Sequence, residues 1–312
     1  VANRSVDFSE DNTQLDSVTA ELHRPLSLVR NLFSIGMTAI AFLLTGLALL
    51  PLLSVLFKIL SEGLPRLNGQ LLTAGITDTP SGFANAILGT LTMVGIASLL
   101  SIPIGVLAAV YLSEFGKNSA IARTVRFFVT ILSGVPSIVV GVFAYGVLVI
   151  SDAWTIGDIV LKPKGFSGLA GGFALAIVML PIVTLATEEA LKLVPTHQRL
   201  ASASLGANHF QTTFRIVVVA ALPGITTGML LAVARASGET APLLFTALFN
   251  QNWPDGLASP TASLSVLIYN YATSAFVEQN QLAWSASVIL VGIVLTVSVL
   301  SRIATQKRLK TR

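Results

Sequence analysis

Arg235 and Glu239 stand four residues apart in an otherwise uncharged stretch, Ile216 to Phe249. Ionisable groups at membrane depth are expensive and are usually functional. A guanidinium suits an oxyanion because its planar fork donates two aligned hydrogen bonds and stays charged in a poor solvent. A carboxylate one helical turn away can hold that guanidinium between encounters. Gly238 and Pro242 bracket Glu239. The helix therefore either continues through the pair or loosens there and exposes backbone N–H groups around Thr240, which also favour anions. Arg235, Glu239 and Thr240 are the candidate anion-handling residues. An ion pair that only fixes helix packing is the competing reading of Arg235 and Glu239.

Other chemistries find little support. The chain has no cysteine, so it offers no disulfide framework, thiolate nucleophile or cysteine metal site. Its three histidines, His23, His197 and His209, have no ligand-like partners at useful spacing. A membrane enzyme using Arg235 and Glu239 would lack a nucleophile, metal ligands and a second perturbed acid. No G-x-x-x-x-G-K-[ST] run exists to cradle nucleotide phosphates. Leu132-Ser133-Gly134 lacks the Gly-Gln continuation of an ATPase signature. No bound cofactor is expected.

The elements that must position the pair are membrane helices. The chain has 312 residues, of which 53% are hydrophobic and 11% charged, a membrane composition. Asn31–Phe57, Thr79–Ser113, Phe127–Ser151, Gly165–Thr187 and Gln279–Ser301 are uncharged runs, each longer than the roughly 20 residues a spanning helix needs. With Ile216–Phe249 they make six spans, an all-α polytopic protein. Sorting the connections alternately to two sides places fourteen of the 19 Lys and Arg on one side and four on the other, with Arg235 left within a span. That bias puts both termini in the cytoplasm. The net charge of +4 thus reports topology, and no nucleic-acid partner is expected. The first apolar run is too long for a cleavable signal and is expected to stay as a membrane helix.

Three regions follow: a mobile polar tail over 1–30, a six-helix domain over 31–303, and a basic tail over 304–312. Pro103 and Pro181 should kink the second and fourth spans, which points to a bundle interior. A break is expected at Leu132–Ser137, and Ser151–Lys164 reads as a small outer loop. Residues 188–215 form the largest inner segment and read as two short surface helices, which serve either as an interfacial anchor or as a docking surface. The polar stretch is expected to run without pause into the fifth span, which begins near Ala220. There Gly224, Gly228, Ala232 and Ala236 recur every four residues and form a smooth face for close helix packing. Asn250–Ala283 is expected to be an outer segment, with Trp253, Tyr269, Tyr271 and Trp284 as interfacial anchors.

From Asn85 to Ile303 the order of features resembles the membrane subunit of a binding-protein-dependent ABC importer. That family's loop reads Glu-Ala-Ala, three residues, Gly, nine residues, Ile-x-Leu-Pro. Here Leu200-Ala201-Ser202, Gly206 and Ile216 take the corresponding positions. Leu200 replaces the glutamate and Val218-Val219 replace the Leu-Pro, so the resemblance carries the Gly206 spacing and flanking helices, not an acidic contact. Arg235-Ala236-Ser237-Gly238-Glu239-Thr240-Ala241-Pro242-Leu243-Leu244 is similar to phosphate-importer permeases, as are Ile102–Val106, Tyr111–Glu114 and Ser133–Val139. The Gly-Glu-Thr-Ala-Pro block resembles the PstA type more than its PstC-type partner.

The resemblance implies a type I ABC importer permease fold in the inner membrane and a heterodimer with a second, PstC-type permease subunit. It also implies a cytoplasmic ABC ATPase dimer, where ATP and Mg are bound, and an outer phosphate-binding protein. On this reading phosphate meets Arg235, and Arg199, Ala201, Ser202, Gly206, Ala207 and Gln211 couple the ATPase to the path. The alternative is a permease of the same architecture for molybdate or sulfate.

Overall fold

The computed structural model describes residues 28–310, apart from 80, 118, 152–153, 157–158 and 163–164. The tail expected over 1–30 lies almost wholly outside the described residues. The chain divides into two compact units, 1–57 and 58–312. The first unit contributes most of α1 (Leu28–Gly63), an apolar helix with Pro51 inside it.

In the second unit a short α2 (Gly69–Thr73), capped by Asn68, leads to α3 (Ala84–Val110). A π-helical turn, Tyr111–Phe115, closes α3. Next come α4 (Ala120–Gly134), capped by Ser119, and α5 (Ser137–Ala144), extended by a π-turn over Tyr145–Ile150. Val135 and Pro136 separate α4 from the extended α5, and the two axes are bent by 104°. Proline disfavours helical backbone in the residue before it, which accounts for the break at Val135. A two-stranded antiparallel hairpin, β1 (Trp154–Ile156) and β2 (Ile159–Lys162), occupies the expected small loop.

Then follow α6 (Gly168–Lys192), α7 (Thr196–Ser204) and α8 (His209–Thr212). A π-turn over Thr213–Val217 joins α8 to α9 (Val218–Gly238). Last are α10 (Ala241–Thr246), α11 (Leu264–Ala272) and α12 (Val277–Lys310). Among the described residues, five helical stretches are long and apolar enough to cross a membrane, or six if the bent α4–α5 pair counts as one span. Among the described residues, the regular structure is helical apart from the hairpin.

The core is built on α3 and α6, which run parallel. A Cβ on Gly172 would sit 2.7 Å from Ile96, and one on Gly105 would sit 2.9 Å from Val183. α9 runs antiparallel against α6: a Cβ on Gly224 would meet Ala190 Cβ at 2.7 Å, and one on Gly228 would meet Ala186 Cβ at 2.5 Å. Ala232 and Ala236 are buried along the same face. Small residues let these backbones approach where branched side chains would hold them apart.

Four boundaries differ from the sequence reading. Residues 188–192 complete α6, because nothing breaks the helix before Pro195, so only α7 is a separate short helix in the inner segment. The polar stretch does pause, at Leu205–Asn208, where Gly206 adopts φ +82°; beyond it the helix is continuous from His209, not from Ala220. The expected outer segment contains α11, whose Leu264, Val266, Leu267 and Tyr271 are buried. Thr90 Oγ1 holds its start by accepting from Leu264 N at 2.9 Å. The last helix continues past Arg302 to Lys310.

Candidate functional site

α9 stops at Gly238, and Glu239 takes up extended backbone (φ −70°, ψ 126°) before α10 begins. The loosened alternative is therefore the one adopted, and the pair forms across the helix end. Arg235 Nε donates to Glu239 Oε1 at 3.2 Å. Ser265 Oγ donates to Glu239 O at 2.9 Å and ties the break to α11. Arg235 lies with Val178, Pro181 and Ile182 around a small cavity, level with the middle of α6. Beyond the break α10 climbs to the start of α6, where Ser167 N donates to Thr246 O at 3.0 Å. Ile216–Phe249 is thus one crossing interrupted halfway, a position where irregular backbone is tolerable only beside other protein or a cavity.

The guanidinium is incompletely used. Nε is its only nitrogen with a protein partner among the described residues, so Nη1 and Nη2 remain open. Arg235 is 52% exposed and Glu239 14%. The Thr240 amide and hydroxyl donate to no acceptor among the described residues. The α4–α5 break brings Ser133 and Ser137 to the same cavity, which has a volume of about 30 Å³, enough for a water. Such an arrangement can offer a forked cation, an amide and a hydroxyl to an anion arriving from the exposed side.

A second cluster occupies the end of the bundle where α3, α4, α6 and α7 meet. Arg199 Nη2 donates to Glu114 Oε1 at 2.9 Å and Nε to Glu114 Oε2 at 3.3 Å. Its Nη2 also reaches Leu191 O at 3.0 Å, and its Nη1 donates to Val194 O. Lone carbonyls at a helix C-terminus favour a cation, and Arg199 meets that need at the end of α6. Beside it Arg126 Nη2 approaches Glu188 Oε1 at 2.8 Å and donates to Leu112 O at 3.2 Å, while Lys192 Nζ lies 3.1 Å from the same carboxylate oxygen. Glu188 is almost wholly buried. Glu114, Arg126 and Glu188 have no role in the sequence reading beyond Glu114's place in a family motif. The visible hint was the Glu188 to Lys192 spacing, a favourable i,i+4 order.

The six residues proposed for coupling divide by what they touch. Arg199 turns inward. Ser202 is buried and shares a 2.9 Å hydrogen bond with Thr212. Gln211 closes a capping box with Asn208, at 2.8 and 3.1 Å. Ala201 and Gly206 are exposed, and Ala207 N donates to Ser202 O at 3.2 Å. Around them Leu193, Leu200, Leu205 and Phe210 stand out into solvent, with Leu205 89% exposed. Of the four small residues chosen for packing, Gly224 and Gly228 face Ala190 and Ala186.

A helical bundle with a crossing broken at mid-height, a charged pair at that break and a short helix outside one end defines a membrane permease of the ABC importer type. Two solved transporters share the architecture. One, a bacterial alginate ABC transporter in complex with an alginate-bound periplasmic protein, aligns with TM-score 0.61 over 90% of this chain and 98% of its own, at 12% identity. The other, the inward-facing MetNI methionine ABC transporter, aligns with TM-score 0.52 over 73% of this chain and 95% of its own, at 18% identity. Residues 101–312 match the family described as binding-protein-dependent transport system inner membrane component, and the chain belongs to that family. It is 42% identical over 257 residues to the phosphate transport system permease protein PstA of Haemophilus influenzae, covering 81% of this chain and 87% of that protein. It is 36% identical to the probable phosphate transport system permease protein PstA of Methanocaldococcus jannaschii, covering 92% and 98%.

Proposed function

We propose that this chain is the permease subunit of an ATP-driven inorganic phosphate importer. It forms half of the path and does no catalysis itself. The observation that carries this reading is the open guanidinium fork of Arg235 at a mid-bundle helix break. It lies in a segment similar to relatives named phosphate permeases. Hydrogen phosphate passes Arg235, whose two free nitrogens match two oxygens of the anion. Glu239 holds Nε throughout, so the cation is never bare and releases its cargo. Thr240 supplies further donors at the break.

The second permease, the ATPase dimer and the outer binding protein follow from the family. The ATPase faces the end that carries α7. The Lys and Arg bias supports a cytoplasmic position for that end and for both termini. Leu193, Leu200 and Leu205 add exposed apolar side chains to the α7 region, with Leu200 standing where the family has a glutamate.

The test is Arg235→Gln in the assembled transporter, with phosphate uptake and co-purification of the partners measured together. Uptake is expected to fall at least about tenfold with assembly intact. Unchanged uptake would remove Arg235 from the path, and lost assembly would make the pair a packing device. Competition of labelled uptake by molybdate or sulfate separates the phosphate reading from the other oxyanions.

A further inference from the structure

Besides the Leu193–Pro195 segment that leads into it from α6, α7 is joined to the bundle in two ways. The first is covalent, through the Leu205–Asn208 turn to α8, supported by the Ser202–Thr212 hydrogen bond at 2.9 Å. Gly206 in that turn has no heavy atom within 4 Å of where a Cβ would stand. The second is Arg199. One guanidinium reaches the Glu114 carboxylate at the end of α3, Leu191 O in the last turn of α6, and Val194 O just beyond it. Arg199 and Glu114 are 85 residues apart. Their side chains are 18% and 4% exposed, so water does not weaken the link as it would on an open surface. Glu114 is held in turn by Ser113 Oγ at 3.1 Å.

We infer that the Arg199–Glu114 pair is a mechanical link through which α7 moves the α3–α6 pair, with Glu114 as a positioning residue in the coupling of ATP hydrolysis to transport. The inference rests on α7 facing the ATPase. α3 and α6 touch from Met93 and Gly171 to Gly105 and Val183, so displacement at Glu114 is carried as a rigid unit to Pro181 and Ile182 beside Arg235. With the link cut, α7 keeps its chain connections to α6 and α8 but loses its hold on the end of α3. Rigid elements with discrete contacts are what transmit such motion.

The experiment uses the complete transporter in proteoliposomes and reads phosphate taken up per ATP hydrolysed. Glu114→Gln keeps the shape and removes the charge; the ratio is expected to fall about tenfold while ATP hydrolysis continues. Glu114→Cys together with Arg199→Cys, in a chain that has no cysteine of its own, is then bridged by a reducible bifunctional thiol cross-linker as long as the original pair. Cross-linking is expected to restore the ratio, and reduction to lower it again. A role limited to holding the fold would not follow the cross-link in this reversible way. A parental ratio in Glu114→Gln, a cross-linked protein as uncoupled as the free dithiol, or a Glu114→Gln chain that no longer assembles with its partners would each overturn the inference. If the unsubstituted assembly shows no ATP-driven uptake, the importer reading fails instead.

Discussion

Two arginine–glutamate pairs in this molecule use the same chemical groups for different ends. Arg199 spends all three guanidinium nitrogens on protein acceptors, and its carboxylate partner is almost fully buried. Arg235 spends one nitrogen, on a glutamate four residues away, and is half exposed. The difference lies in what surrounds each pair. Arg199 sits where the end of α6 leaves carbonyls to satisfy and the end of α3 supplies a buried carboxylate, so its donors are absorbed by the fold. Arg235 sits where a helix stops, and among the described residues nothing accepts from its Nη1 or Nη2. A saturated arginine fastens one element to another, so that they move together, and an unsaturated one is available to something that passes.

The largest expected effect bears directly on that contrast. Arg199→Ala leaves the Glu114 carboxylate buried without its partner and should cost about 3 kcal/mol, read as a lower midpoint of thermal unfolding in detergent. Arg235→Ala should cost under about 1 kcal/mol by the same measurement, because its pair is half exposed. Equal losses would erase the distinction between the two pairs.

Next comes the seam that sets Arg235 beside Pro181. Gly228→Val places a branched side chain against Ala186, where a Cβ alone would already stand at 2.5 Å, and overpacking of this kind costs about 2 kcal/mol. Uptake should fall with stability, while the Arg199–Glu114 end, reached at Leu191 about one and a half helical turns further along α6, keeps its contacts. Amide exchange at Glu114 and Arg199 then stays at its parental value.

The smallest effect tests the turn between the two regions. Gly206→Ala forces an L side chain to φ +82° at about 1 kcal/mol, with no steric clash. Faster amide exchange confined to Leu205–Asn208 is expected. Exchange spreading into α6 would mean that the turn and the Arg199 cluster unfold as one.

Much of this was legible in the residue order. Uncharged runs located five of the six apolar stretches, and the Gly/Ala repeat of the fifth span marked the face that lies on α6. Gly238 and Pro242 announced that the helix could break at Glu239. Arg199–Glu114 could not be read as a pair, because only the parallel docking of α3 and α6 brings positions 85 apart into contact. α11 was hidden for another reason. At nine residues it is too short to declare itself by periodicity, and the prolines and aromatics around it look like a surface loop. What local spacing determines was visible, and what depends on which helices lie side by side was not.

The π-turn at Thr213–Val217 has a geometric consequence for everything upstream of it. Between Val217 and Ala236 the residues turned toward α6 follow at intervals of four and three: Val217, Ala221, Ile225, Gly228, Ala232, Ala236. An ordinary helical turn before Val217 would swing Thr212 well off this line, since each α-helical residue rotates the chain by about 100°. The wider turn winds more slowly and brings Thr212 as well as Thr213 into the buried row. That is how Thr212 comes to meet Ser202. One surplus residue in the winding thus sets the angular phase between the span and the segment that leads into it.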